Sequence, residues 1–237
     1  MCAVPGDPHA LGMTRTTEPA ARDIAGLRRA GTCLLVASGL WWVAAATLIP
    51  PEDYFFADSA REEALAIVAH PGMFRAFHVV ATAGIAAGVV GLALLARWLR
   101  SRTATVAAAV AGAAFVAWLV EAGVRVTAGV SRARDFASGL TGPESEPAVG
   151  SWPVFAVAAV GFAMPAVVAW VLARERVPGR RSSLLAAVFL TLGTVAAAAT
   201  LAPSVVYQFG LLPFALVLVL ARRRQRALAP ITGSVTA

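Results

Sequence analysis

The stretch Val116-Ala-Trp-Leu-Val-Glu-Ala-Gly-Val-Arg125 decides how the chain is read. It sets one carboxylate, Glu121, inside a run that is otherwise apolar from Thr105 to Val124. A helix needs about 20 apolar residues to cross the roughly 30 Å of bilayer hydrocarbon, and this run meets that length. A charge at mid-depth costs roughly 2.5–3.5 kcal/mol on insertion scales, so Glu121 asks for a reason. Counted from Thr105 at about 1.5 Å per residue, Glu121 lies roughly 24 Å along the helix, a little below one surface. Arg125, four residues on, shares its face and is placed to pair with it.

The composition agrees with a membrane reading. Of 237 residues, 59% are hydrophobic and 14% charged, and the mean hydropathy is +0.74. A water-soluble domain of this length cannot hide so much apolar surface, whereas a bilayer accepts it. The net charge of +7 does not point to nucleic acid, because the arginines fall in short clusters between apolar runs. All basic residues are arginine, which excludes chemistry through a lysine Schiff base, and no cofactor is expected. The bias to Arg, Ala, Val and Gly fits a GC-rich bacterial genome.

In order, residues 1–30 read as a flexible cytoplasmic tail, with Met13-Thr-Arg-Thr as an alternative start. Residues 31–221 read as one membrane domain with spans at about 31–49, 74–96, 105–124, 153–173, 183–201 and 204–221. Residues 222–237 form a second cytoplasmic tail. Pro50-Pro51 stops the first span. Ser59-Ala-Arg-Glu62 then fits a capping box, which predicts a short amphipathic helix lying on the membrane surface and ended by Pro71-Gly72. A second outer loop is expected from about Thr127 to Gly150. Ala202-Pro203 makes the last two spans a tight hairpin, and Arg222-Arg223-Arg224 closes the last helix.

Orientation follows from the arginines. Fifteen fall in the two tails and the loops 97–102 and 174–181, against five around the two long loops. Eight of the thirteen acids also lie in those long loops. The excess puts both termini in the cytoplasm of an inner-membrane, multi-pass protein.

Several side chains are candidates for a ligand site. His78 enters the second span from outside, at the depth of Glu121, and the pair offers a titratable couple or two metal ligands. Trp118 and Arg125 flank Glu121, while Tyr207 and Gln208 lie in the outer half of the sixth span, near Gly210 and the kink expected at Pro213. Trp41, Trp42 and Trp152 fall in the same half. Simple structural roles compete with each: an interfacial ion pair, interfacial histidines, a tolerated kink and an aromatic belt. Gly84, Gly88 and Gly91 form a small-residue stripe along which a neighbouring helix can approach closely.

Other chemistry finds little footing. Cys2 and Cys33 show neither a disulfide framework nor a metal spacing, and no HExxH motif is present. There is no phosphate-cradling glycine loop followed by lysine, no nucleophile elbow and no paired catalytic carboxylate.

Arg28-Arg29-Ala-Gly31 opening the first span, the acidic helix 59–70 before Phe74-Arg75, and the hairpin at Ala202-Pro203 together resemble uncharacterised six-helix integral membrane proteins of GC-rich bacteria, the domain-of-unknown-function type. The likeness covers about residues 28–224 and implies no activity and no functional residues. The expectation is an all-α bundle of six transmembrane helices, both termini inside, whose partners are the lipid bilayer and a small molecule bound or passed near Glu121. The alternative is a structural subunit that associates with a membrane partner, or with itself as a homo-oligomer, through the Gly84/Gly88/Gly91 face. A metal-dependent intramembrane enzyme built on His78 and Glu121 comes third.

Overall fold

The computed structural model describes residues 24–47, 59–140, 152–177, 179–200 and 209–227. They form seven α-helices: α1 (Ile24–Thr47), α2 (Ala60–Ala69), α3 (Pro71–Leu99), α4 (Arg102–Ala137), α5 (Trp152–Glu175), α6 (Arg180–Thr200) and α7 (Leu211–Ala227). Three of these, α1, α3 and α4, are long and apolar enough to cross a membrane, and Leu211–Ala221 is a shorter apolar segment. The protein is thus all-α, with the helices of a membrane protein.

The six longer helices pack as a closed ring in chain order, with α1 against both α3 and α7. Two features allow the tight packing of α1 on α3. A Cβ built at Gly91 would stand 2.8 Å from the Leu34 side chain, and one at Gly84 would stand 2.9 Å from Trp41. Only glycine lets the two backbones come so near. The stripe of Gly84, Gly88 and Gly91 is buried, and at Gly84 and Gly91 it is α1 of the same chain that covers it. The face expected to recruit another protein is therefore filled from within. Leu34, Leu92, Leu95, Leu99, Val168, Leu172, Leu190, Phe214 and Leu218 fill the core, while Val36, Val79, Val90, Val116, Val120, Leu192 and Val195 face outward.

The helices depart from the sequence expectation in their ends and in one contact. First, α1 starts at Ile24 rather than Gly31, because Leu27, Ala30, Gly31 and Leu34 form one buried stripe that passes beneath Arg28 and Arg29. Residues 24–30 are helix, not tail. Second, α4 does not end near Val124 but runs 36 residues to Ala137, about 54 Å at the usual rise. That is well beyond the roughly 30 Å of a bilayer core. Third, α2 uses its apolar side differently. Ser59 caps it by accepting from the Glu62 N–H at 3.3 Å, as the sequence predicts. However, Ala64 and Ile67 are buried with Phe74, Val130 and Ala133, so α2 docks on the overhang of α4 instead of offering that side to lipid. His70 alone separates α2 from α3, and Pro71 opens α3, where a missing N–H costs nothing.

At the other end, two turns return the chain. Ser101 caps α4, accepting from the Ala104 N–H at 3.5 Å. The residues ending α3 and closing α5, Arg100 and Arg176, take left-handed φ values of 55° and 57°. That conformation costs a non-glycine residue roughly 1–2 kcal/mol, and glycine ordinarily fills it. Phe209 and Gly210 wind as a π turn into α7, and Gly210 sits against Leu190 of α6. The last helix does not end at Ala221 but continues through Arg222-Arg223-Arg224 to Ala227, so residues 222–227, expected as tail, are helix. Pro50-Pro51, the loop tip 141–147 and Ala202-Pro203 lie outside the described residues.

Candidate functional site

One group of polar side chains lies where α3 meets α4, toward the end that carries α2. Helical spacing sets them there. His78 and Thr82 are one turn apart on α3, and Trp118, Glu121 and Arg125 occupy adjoining rows of α4.

His78 is buried, with 3% of its surface exposed. Its Nδ1 lies 2.9 Å from the Phe74 carbonyl oxygen. A carbonyl only accepts, so Nδ1 carries the proton and donates it. The ring lies between Phe74 and Phe77, with centroids 4.5 Å and 5.4 Å away. Phe77 in turn meets Trp41 of α1 edge-on at 6.0 Å. Thr82 Oγ1 donates to the His78 carbonyl at 2.6 Å and accepts the Trp118 indole N–H at 3.2 Å. A hydrogen-bonded link thus crosses from α4 to α3 one turn below the histidine.

Glu121 and Arg125 form the ion pair expected from their spacing, with Arg125 Nε donating to Glu121 Oε1 at 2.6 Å. The two side chains keep only 13% and 12% of their surface exposed. An apolar setting strengthens such a pair, provided both partners stay. The arrangement is a sheltered, polarised spot at one end of an apolar bundle.

Of the sequence candidates, Trp118 is linked to His78 through Thr82, and Glu121 is paired with Arg125 on the same helix. Tyr207 and Gln208 lie outside the described residues, as does the side chain of Trp152. Trp42 stands apart from the cluster, 40% exposed and edge-on to Phe209 at 5.1 Å. Two participants were not singled out from sequence. Thr82 follows His78 by four residues, a spacing that marks it in retrospect. Phe162 meets Trp118 edge-on at 6.3 Å, a contact that only the fold reveals.

Trp118 also borders a small void of about 10 Å³ lined by Ile85, Val89, Ala114, Phe115 and Phe162. That is room for about one water, but an apolar lining keeps such a space dry. The void does not reach Glu121 or His78. Among the described residues, no group of three or more His, Cys, Asp and Glu side chains is placed to hold a metal ion. Comparison with protein-family models, with curated proteins and with solved structures finds no match.

Proposed function

We propose that the chain is a six-span protein of the bacterial inner membrane, both termini cytoplasmic, which binds or passes a small polar molecule at the outer end of α3 and α4. The arginine distribution supports this orientation: the α3–α4 turn then faces the cytoplasm, and the α2-bearing end faces out. Three helices of spanning character support the membrane setting, and exposed valines and leucines along the ring fit a lipid-facing surface. The single observation that carries the ligand reading is the sheltered Glu121–Arg125 ion pair on α4, set in an otherwise apolar bundle. Ionisable groups placed inside an apolar bundle are costly, which makes them functional-site candidates by default.

The test is thermal unfolding of purified protein in lipid nanodiscs, wild type beside Glu121→Gln, against a panel of small metabolites and metal ions. A ligand present at about 100 times its Kd adds about 2.7 kcal/mol to stability. A compound that stabilises the wild type and not the variant supports the site. Identical responses across the panel would reduce Glu121 to a structural ion-pair residue.

A further inference from the structure

The end of the bundle opposite α2 carries its own chemistry. The antiparallel packing of α1 on α3 brings Arg28 and Arg29 beside the α3–α4 turn, which holds Arg97, Arg100 and Arg102. Gly31 meets Leu218 of α7, which fixes the late part of α7 at this same end. Since α6 runs back from the start of α7, the α5–α6 turn falls here too, with Arg174, Arg176, Arg180 and Arg181. All nine arginines are exposed, and Glu175 is the single acid at this end among the described residues. Nine guanidinium groups against one carboxylate give this end a large excess of positive charge.

Two further observations separate this rim from a scatter of topology signals. Arg100 and Arg176 occupy equivalent places, each just past a helix that returns into a hairpin, and both hold the left-handed backbone that glycine takes without strain. Arginine stands there at a conformational cost, and strain of this kind collects where a side chain is needed. The rim also sits at the border of the apolar surface. Leu184 and Leu185, one turn from Arg180 and Arg181, are 42% and 59% exposed, and Val106, one turn from Arg102, is 55% exposed. Charge beginning where lipid-facing surface begins lies at headgroup level, not out in the aqueous phase.

We infer that this arginine rim is a binding surface for anionic phospholipid headgroups. Guanidinium forks match phosphodiester oxygens two at a time, and an excess of arginines at the membrane surface attracts anionic lipid. Arg100 and Arg176, projecting from the two hairpins, are its central contacts.

The experiment compares wild type with Arg100→Gly/Arg176→Gly in nanodiscs of pure phosphatidylcholine and of equal parts phosphatidylcholine and phosphatidylglycerol. Unfolding midpoints and the phospholipid retained after detergent extraction are read. The wild type should melt higher in the anionic discs and retain phosphatidylglycerol, with the gain shrinking as salt is raised. The double variant, relieved of two strained residues, should melt no lower than wild type in phosphatidylcholine yet keep less than half of the anionic gain. Should it fail to fold, Arg100→Asn/Arg176→Asn serves instead, since asparagine also tolerates this backbone. An equal anionic gain in wild type and variant overturns the inference. So does a gain that inorganic phosphate reproduces in phosphatidylcholine discs, which would assign the rim to a soluble anion.

Discussion

The indole N–H of Trp118 on α4 donates to Thr82 Oγ1 on α3 at 3.2 Å, and the same hydroxyl donates to the His78 carbonyl at 2.6 Å. The threonine therefore satisfies the tryptophan while its own proton is already committed. Thr82→Val removes the acceptor and keeps the shape, so the indole donor is left without it in an apolar interface. A loss of about 1 kcal/mol in unfolding free energy is expected, the scale of interhelical hydrogen bonds in membranes. Thr82→Ser should restore most of it. Equal stability of wild type and Thr82→Val would show that the link contributes nothing.

Glycines of similar sequence context should respond in opposite ways. At Gly91 a Cβ meets Leu34 and the Ala30 carbonyl, whereas at Gly123 there is nothing within 4 Å. Gly91→Leu should force α1 off α3 and lower stability by about 1–3 kcal/mol or more, as overpacking does. Gly123→Ala should leave stability unchanged or raise it by up to about 1 kcal/mol through helix propensity. Because the stripe packs within one chain, Gly91→Leu should act on unfolding rather than on oligomeric state. Size-exclusion with light scattering, run beside denaturation, separates the two. A clean change of oligomer with intact folding would restore the stripe to an intermolecular role.

The α2–α4 contact should loosen without unfolding the ring. Ser59→Ala removes the cap hydroxyl of α2, at about 1 kcal/mol, and Ile67→Ala removes the side chain that is buried with Val130 and Ala133. Hydrogen exchange should quicken across residues 60–69, while α1 and α3 keep their protection. Uniformly faster exchange through the bundle would mean that α2 belongs to the same cooperative unit.

How much of this could be read from sequence depends on the kind of signal. The α2 start was legible because a capping box is local, and the Glu121–Arg125 pair because helical spacing alone brings i and i+4 together. The reach of α1 and α4 was not, because in both helices the buried period continues after the hydropathy has fallen. Arg28 and Arg29 interrupt the apolar run, yet Leu27, Ala30 and Leu34 hold the helical period across them. Likewise Ala122, Val130 and Ala133 keep one face of α4 apolar among arginines and serines after the membrane-length run has ended. The Trp118–Thr82 link depends on how far α3 slides against α4, which no local pattern encodes. The glycine stripe announced a close neighbour but carried nothing about whose helix that neighbour would be.

The unbroken length of α4 has a mechanical consequence. Arg102 at the arginine rim and Ala133 beneath α2 belong to one helix with no proline inside it. A tilt of about 10° over its roughly 54 Å displaces one end against the other by roughly 9 Å. The helix is also a shaft with fixed torsional register, so a single added residue near its middle would turn the far half by about 100°. The docking place of α2 and the turn at Ser101 are thus the two ends of one rigid element that carries Glu121 between them.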